Sequence, residues 1–266
     1  VVFIQKQENT SNMKAKTRIR TIVLINLVMI PFVFLLFLSI AGTWFFPDVL
    51  PGHWSLNAWH GLFLGNDFWW VLLKSVVLSS SIAILATAMA FFISRQLSRH
   101  RYKDILHSIA YLPYSFSPVI YAFCIQFLFI RSGLKGTYAG VLIAQLLISF
   151  PFVVLLFSKH WNHELKNQEI LSMSLGASEY QTIVRITLPL TMRLIKLSLI
   201  QTFLISWFDY GISLVIGRGI AQTAILRIYQ YIAEANIAYA ATASLVLLIP
   251  PVMLSIVQHK LSSNVA

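Results

Sequence analysis

Apolar runs separated by short polar stretches recur along the chain at approximately 21–42, 68–93, 105–130, 137–158, 194–217 and 237–258. Each supplies the roughly twenty residues with which an α-helix crosses about 30 Å of hydrocarbon. The pattern predicts an all-α membrane protein whose six transmembrane helices occupy 21–258. Strands of a membrane barrel alternate apolar and polar residues over about ten positions. These runs are apolar throughout, so a barrel is excluded.

In the second run Ser79, Ala83, Thr87 and Ala90 fall at near-helical intervals. Such a stripe of small residues lets a neighbouring helix approach closely, which puts this span inside the bundle. Pro113 and Pro118 in the third run, Pro151 in the fourth, and Pro250 and Pro251 in the sixth each remove a backbone donor and predict kinks. The two halves of the chain show no internal repeat. Six spans with one large polar loop look like half of a translocation unit, completed by a second, identical or related subunit.

Composition agrees with a bilayer protein: 58% of residues are hydrophobic and 11% charged, with a mean hydropathy of +0.74. A formal charge of +11 would suit a nucleic-acid partner, but the cations are distributed as a topology signal. Lys6, Lys14, Lys16, Arg18, Arg20, Arg95, Arg99, Arg101, Lys103, Lys159, Lys166, Arg185, Arg193, Lys196 and Lys260 all fall on one set of alternate loops. The other set holds only Arg131, Lys135, Arg218 and Arg227, and Lys74 lies inside the second span, from which it can snorkel outward. The positive-inside rule then places both termini in the cytoplasm. Residues 1–20 are expected to form a basic cytoplasmic tail, with Met13 a candidate native start, and 259–266 a second tail. The first run is too long for the apolar region of a signal peptide and has no obvious small-residue cleavage site, so it is expected to remain in the mature protein. Trp44, Trp54, Trp59, Trp69 and Trp70 read as an interfacial belt at the outer end of the first two spans. The single Cys124 excludes an intrachain disulfide and argues against a cysteine metal site.

The stretch 159–193 is too polar to span and too periodic to be a linker. Leu165, Ile170, Leu171, Met173 and Leu175 give a helix an apolar side, and Gly176 suits the left-handed residue that ends it. Ser178 then serves as an N-cap, and Gln181 three residues later completes a capping box, with Glu179 at the favourable end of the helix dipole. Pro189 breaks the hydrogen-bond ladder and begins the fifth span. Two packed helices joined to a span form a stiff handle that converts a partner's displacement into a tilt of that span.

The chain has no G-x-x-x-x-G-K-[ST] segment to cradle a nucleotide, so energy comes from a separate subunit or an ion gradient. His160 and His163, in HWNHE, depart from the H-E-x-x-H zinc pattern, and no metal site is expected. Intramembrane proteolysis requires a nucleophile with a base, or paired aspartates, and only isolated candidates occur. Asp209 is the one acidic residue deep in an apolar run. With Gln201, Trp207 and Tyr210 it is a candidate lining of a path for a cationic or hydroxyl-bearing solute. Equally, it caps the backbone or pairs locally with Arg218. Tyr114, Ser117, Pro118 and Tyr121 share one face of the third run, while Ser115 and Gln126 share another. Either face lines a path or bonds neighbouring helices.

Gly176-Ala177-Ser178 followed by Ile186-Thr187-Leu188-Pro189 resembles the EAA loop of permease subunits of binding-protein-dependent ABC importers. The interval from Gly176 to Pro189 matches that pattern. Its Glu-Ala-Ala would fall on Ile170, Leu171 and Ser172, and this chain has Glu169 one place early instead. The resemblance implies an ATPase-coupling loop carried by Glu169, Ile170, Leu171, Ser172, Gly176, Ala177, Ser178, Glu179, Arg185, Leu188 and Pro189. For a solute pathway the candidates read from polar positions in the apolar runs are Tyr121, Gln126, Gln201, Asp209 and Tyr210. Later segments, SWFDYGISLVIG, TAILRIYQYI and AYAATASLVLLI, look like the subgroup that imports iron, thiamine, sulfate or polyamines. The implied partners are a cytoplasmic ABC ATPase dimer, a second permease subunit, an external solute-binding protein and the bilayer of a bacterial inner membrane, with no nucleic acid. The resemblance implies no enzyme activity and no cofactor on this chain, ATP and Mg being held by the ATPase. A gradient-driven secondary transporter, an intramembrane enzyme and a membrane scaffold are the rival readings.

Overall fold

The computed structural model describes residues 20–263 except 22, 25, 43, 45–49, 99, 101–102, 159 and 162. The expected basic tail at 1–20 therefore lies, apart from Arg20, outside the described residues. The chain resolves into two compact units, one of residues 1–65 with 230–248 and the other of 66–229 with 249–266.

In the first unit, α1 (Asn26–Ile40) is followed by an isolated bridge between Ala41 and Trp54 and by α2 (Asn57–Leu64). Trp59, on α2, donates through Nε1 to Ser39 Oγ at 3.3 Å, which ties α2 to the end of α1. α2 packs on a later helix of the same unit, where a Cβ on Gly61 would collide with the Tyr239 hydroxyl.

The second unit begins with α3 (Asn66–Leu97), then α4 (Lys103–Tyr111), a 3-10 turn (Leu112–Ser115), α5 (Pro118–Arg131) and α6 (Tyr138–Ser158). The polar loop follows as α7 (His163–Ser174) and α8 (Glu179–Thr182). A π turn (Ile183–Thr187) leads from α8 into α9 (Leu188–Trp207), and a break at 208–210 precedes α10 (Gly211–Gly217). Then come α11 (Ala224–Ala233), α12 (Ile237–Leu247), which belongs to the first unit, and α13 (Ile249–Ser263). The last helix runs through most of the expected tail at 259–266.

α3 is the central element of the second unit, packing along both α6 and α9. Ser79, Ala83, Thr87 and Ala90 are all buried, as their small size requires at close helix contacts. Ser206 Oγ lies 3.0 Å from Ser79 Oγ and Ser198 Oγ 3.3 Å from Thr87 Oγ1, two hydroxyl pairs that bond α9 to α3. Two apolar clusters fill the unit, one around Ile82, Ala144 and Ile212 and the other around Phe91, Val153 and Phe157. α10 approaches α5 so closely at Gly211 that a Cβ there would lie 2.7 Å from Val119 Cγ2.

Among the described residues three helices are long and apolar enough to cross a membrane: Asp67–Leu97, Tyr138–Ser158 and Ile237–Ile256. Two bent pairs raise this to five if each is one span: Ser108–Tyr114 with Pro118–Arg131, and Glu179–Trp207 with Gly211–Gly217. The third run is thus a broken helix at the prolines where kinks were expected, and the fifth is broken where no kink was expected. In the third, Pro113 within the turn and Pro118 at the start of α5 each remove a donor. In the fifth the chain turns by 57°.

Candidate functional site

The polar loop is a two-helix unit held together by side chains on its inner surface. α7 turns Leu165, Glu169 and Ser172 inward, at i, i+4 and i+7. Ser172 Oγ lies 3.1 Å from Thr182 Oγ1 on α8, and Thr187 Oγ1 donates to Glu169 Oε1 at 2.8 Å. The turn between the helices has the expected chemistry. Gly176 takes φ +89°, Ser178 Oγ accepts from Gln181 N at 3.2 Å, and Gln181 Oε1 accepts from Ser178 N at 2.9 Å.

Two details differ from the sequence reading. The apolar side of α7 does not form one buried stripe: Leu165 is buried, whereas Ile170, Leu171, Met173 and Leu175 are exposed. Pro189 does not separate α8 from the fifth span. Helix continues from Glu179 to Trp207, and the π turn absorbs the donor that Pro189 lacks, with Leu188 N bonded to Ile183 O. α8 and α9 are therefore one rod.

Arg95, in the last turn of α3, anchors this loop. Its Nε donates to Glu169 Oε1 at 2.9 Å and its Nη1 to Glu179 Oε1 at 3.1 Å. Arg95 and Glu169 are buried, and Glu179 is exposed. Nearby, Trp161 Nε1 donates to Ser94 Oγ at 2.8 Å, tying the segment after α6 to the same end of α3. His160 stacks edgewise on Trp161, and partial burial lowers its imidazole pKa. Sequence reasoning treated Arg95 as a topology cation only. Of the remaining loop candidates Ala177 and Leu188 are half-buried, and Arg185 and Pro189 are exposed.

A second polar constellation sits at the break between α9 and α10. Asp209 Oδ2 accepts from Gln145 Nε2 at 2.8 Å and from Ser213 N and Oγ, each at 2.9 Å, while Oδ1 accepts from Ile212 N at 3.3 Å. Ser206 Oγ donates to Gln145 Oε1 at 2.6 Å, extending the network to Ser79. The carboxylate thus caps the start of α10 and replaces the backbone bonds lost at the break. No ion pair joins it to Arg218 among the described residues.

Asp209 and Tyr210 line a cavity of about 610 Å³ with Tyr114, Gln145, Ser149 and Phe152. The ring of Tyr210 stacks on Tyr229 at 4.1 Å. Tyr121, Gln126 and Gln201 do not line this cavity. Gln126 accepts from Lys135 Nζ at 3.0 Å, Tyr121 packs on the apolar cluster around Ile82, and Trp207 is buried against Phe203. Gln145 and Ser149 were missed from the sequence, although they fall four apart in an otherwise apolar run.

The family described as "Binding-protein-dependent transport system inner membrane component" matches residues 90–265. Inner membrane ABC transporter permease protein YcjP of Escherichia coli K12 is 24% identical over 62% of this chain and 60% of its own length, so the chain spans about three fifths of that relative. The molybdenum transport system permease protein ModB of Mycobacterium bovis is 26% identical over 65% of the chain and 71% of its own. A probable sulfate transport system permease protein cysT of Helicosporidium is 27% identical over 62% and 68%. A solved bacterial ABC transporter involved in the import of the acidic polysaccharide alginate shares the fold, with a TM-score of 0.68 at 16% identity over 91% of this chain and 95% of that one.

Proposed function

The chain belongs to the family of binding-protein-dependent transport system inner membrane components, the permease subunits of ABC importers, and from this premise we propose that its loop at 159–193 docks a separate cytoplasmic ATPase. The observation that carries the proposal is the outward row of Ile170, Leu171, Leu175 and Tyr180, which are 48%, 61%, 80% and 76% exposed on an otherwise polar loop. Exposed apolar side chains on a rigid polar element mark a partner surface. Here they surround the shifted position of the expected EAA triplet and flank Gly176.

Nucleotide binding draws the ATPase subunits together, the loop follows, and the rod of α8 and α9 transmits the movement into the membrane. ATP and Mg bind on the ATPase. A second permease subunit completes the pathway in a bacterial inner membrane, and an external binding protein delivers the solute. The cavity beside Asp209 is one element of that pathway. Asp209 is the only acidic or basic residue among its described lining, and with no cation there a cationic or hydroxyl-bearing solute suits it better than an oxyanion of the kind the molybdenum and sulfate relatives are named for. A gradient-driven carrier would need intramembrane ion ligands, and the Asp209 carboxylate already accepts from the chain's own donors.

The test is co-purification of the tagged chain with the ATPase of the same transporter. Leu171→Asp with Leu175→Asp is expected to leave membrane insertion unchanged and to lower ATPase recovery at least tenfold. Undiminished recovery would exclude the docking role.

A further inference from the structure

Resting on that docking, we propose that Arg95 is a positioning residue that yokes α3 to the coupling loop, so that the ATPase moves two spans together. The loop already reaches α9 through continuous helix. Its charged connection to α3 is made by the guanidinium, Nε on Glu169 Oε1 of α7 at 2.9 Å and Nη1 on Glu179 Oε1 of α8 at 3.1 Å, beside the neutral bond of Trp161 Nε1 to Ser94 Oγ and the packing of Ile183 on the cluster around Phe91. Thr187 Oγ1 bonds the same Glu169 oxygen at 2.8 Å, so one carboxylate joins α3, α7 and the base of α9.

A planar guanidinium holding two carboxylates fixes orientation as well as distance, which a lysine ammonium on a flexible stem does not. Glu169 is 2% exposed and unable to reach a docked partner, whereas Glu179, at 68%, can. The acidic residue displaced by one position from the expected triplet thus faces inward and serves the yoke. Farther along, the hydroxyl pairs Ser198–Thr87 and Ser206–Ser79 continue the α3–α9 contact, so movement imposed at Arg95 is carried along a bonded seam.

The experiment uses the chain assembled with its ATPase, spin-labelled at Gln96→Cys and Ser174→Cys on a Cys124→Ser background. Both labelled positions are exposed, one on α3 and one on α7. With Arg95 present, the interlabel distance is expected to be the same without nucleotide and with ATP. A buried charge left alone threatens folding, so the comparison variant is Arg95→Met with Glu169→Met, which removes both charges at similar volume. It is expected to insert and bind ATPase, to show a distance that changes on ATP binding, and to lose transport per ATP hydrolysed at least tenfold. A distance that already changes in the parent chain, or an unchanged distance and normal transport in the double variant, would overturn the yoke. Failure of the unsubstituted chain to recover ATPase at all would instead remove the docking on which the yoke rests.

Discussion

Arg95 and Glu169 meet at 2.9 Å although 74 positions separate them in the chain, and both are buried. Glu179 binds the same guanidinium from the solvent side. The two carboxylates therefore differ sharply in what their loss costs. Glu169→Ala strands a buried cation and is expected to destabilise the chain by about 3–5 kcal/mol. Glu179→Ala is expected to cost no more than about 1 kcal/mol. Thermal unfolding of the two variants in detergent checks the contrast, and equal effects would refute it.

Ser178 and Gln181 satisfy each other's backbone donors at the start of α8. Ser178→Ala is expected to cost roughly 0.5–2 kcal/mol, and Ser178→Asp to restore most of it. Hydrogen exchange across 178–187 reads this locally, because the cap opens before the spans do.

Asp209→Ala removes the acceptor of Ser213 N and Oγ and leaves Gln145 Nε2 only its bond to Ser213 Oγ. Each stranded buried donor costs about 1–3 kcal/mol, so a marked loss of thermal stability is expected, along with faster exchange in α10. Retained stability would mean that the carboxylate is free for another task.

His160 supplies a pH dependence. Its folded pKa lies below the ordinary value because burial disfavours the imidazolium. The unfolded chain therefore binds more protons in the window between the folded pKa and about 6.5. Stability is expected to fall as pH drops through that window and to be regained above it. Because the ring is only partly buried the effect is small. His160→Asn should flatten the profile of melting temperature between about pH 7 and 5.

Local chemistry is what the sequence made legible. Gly176, Ser178 and Gln181 act on neighbours a few residues away, and the small stripe of α3 follows directly from helical spacing. The bonds from Arg95 to Glu169 and from Gln145 to Asp209 span 74 and 64 residues, and no local pattern announces them. The inward face of α7 was misjudged for a related reason. Periodicity finds apolar stripes, and this helix buries a charged residue and a hydroxyl because their partners stand on α3, α8 and the π turn. The broken fifth run hid behind its apolar composition, since Asp209 supplies from its side chain the acceptors that an unbroken helix would provide from its backbone.

The wide turn at Ile183–Thr187 also fixes an azimuth. One residue advances an α-helix by about 100°, and this turn holds one more than an α-helical turn would. Removing one residue there would let the turn close to ordinary α-helix with the flanking faces still in register, whereas winding all the present residues into α-helix would swing Glu179 and the α7–α8 unit about a quarter turn around the axis of α9. The π turn thus absorbs a supernumerary residue at the root of the rod without disturbing the bearing of what the rod carries.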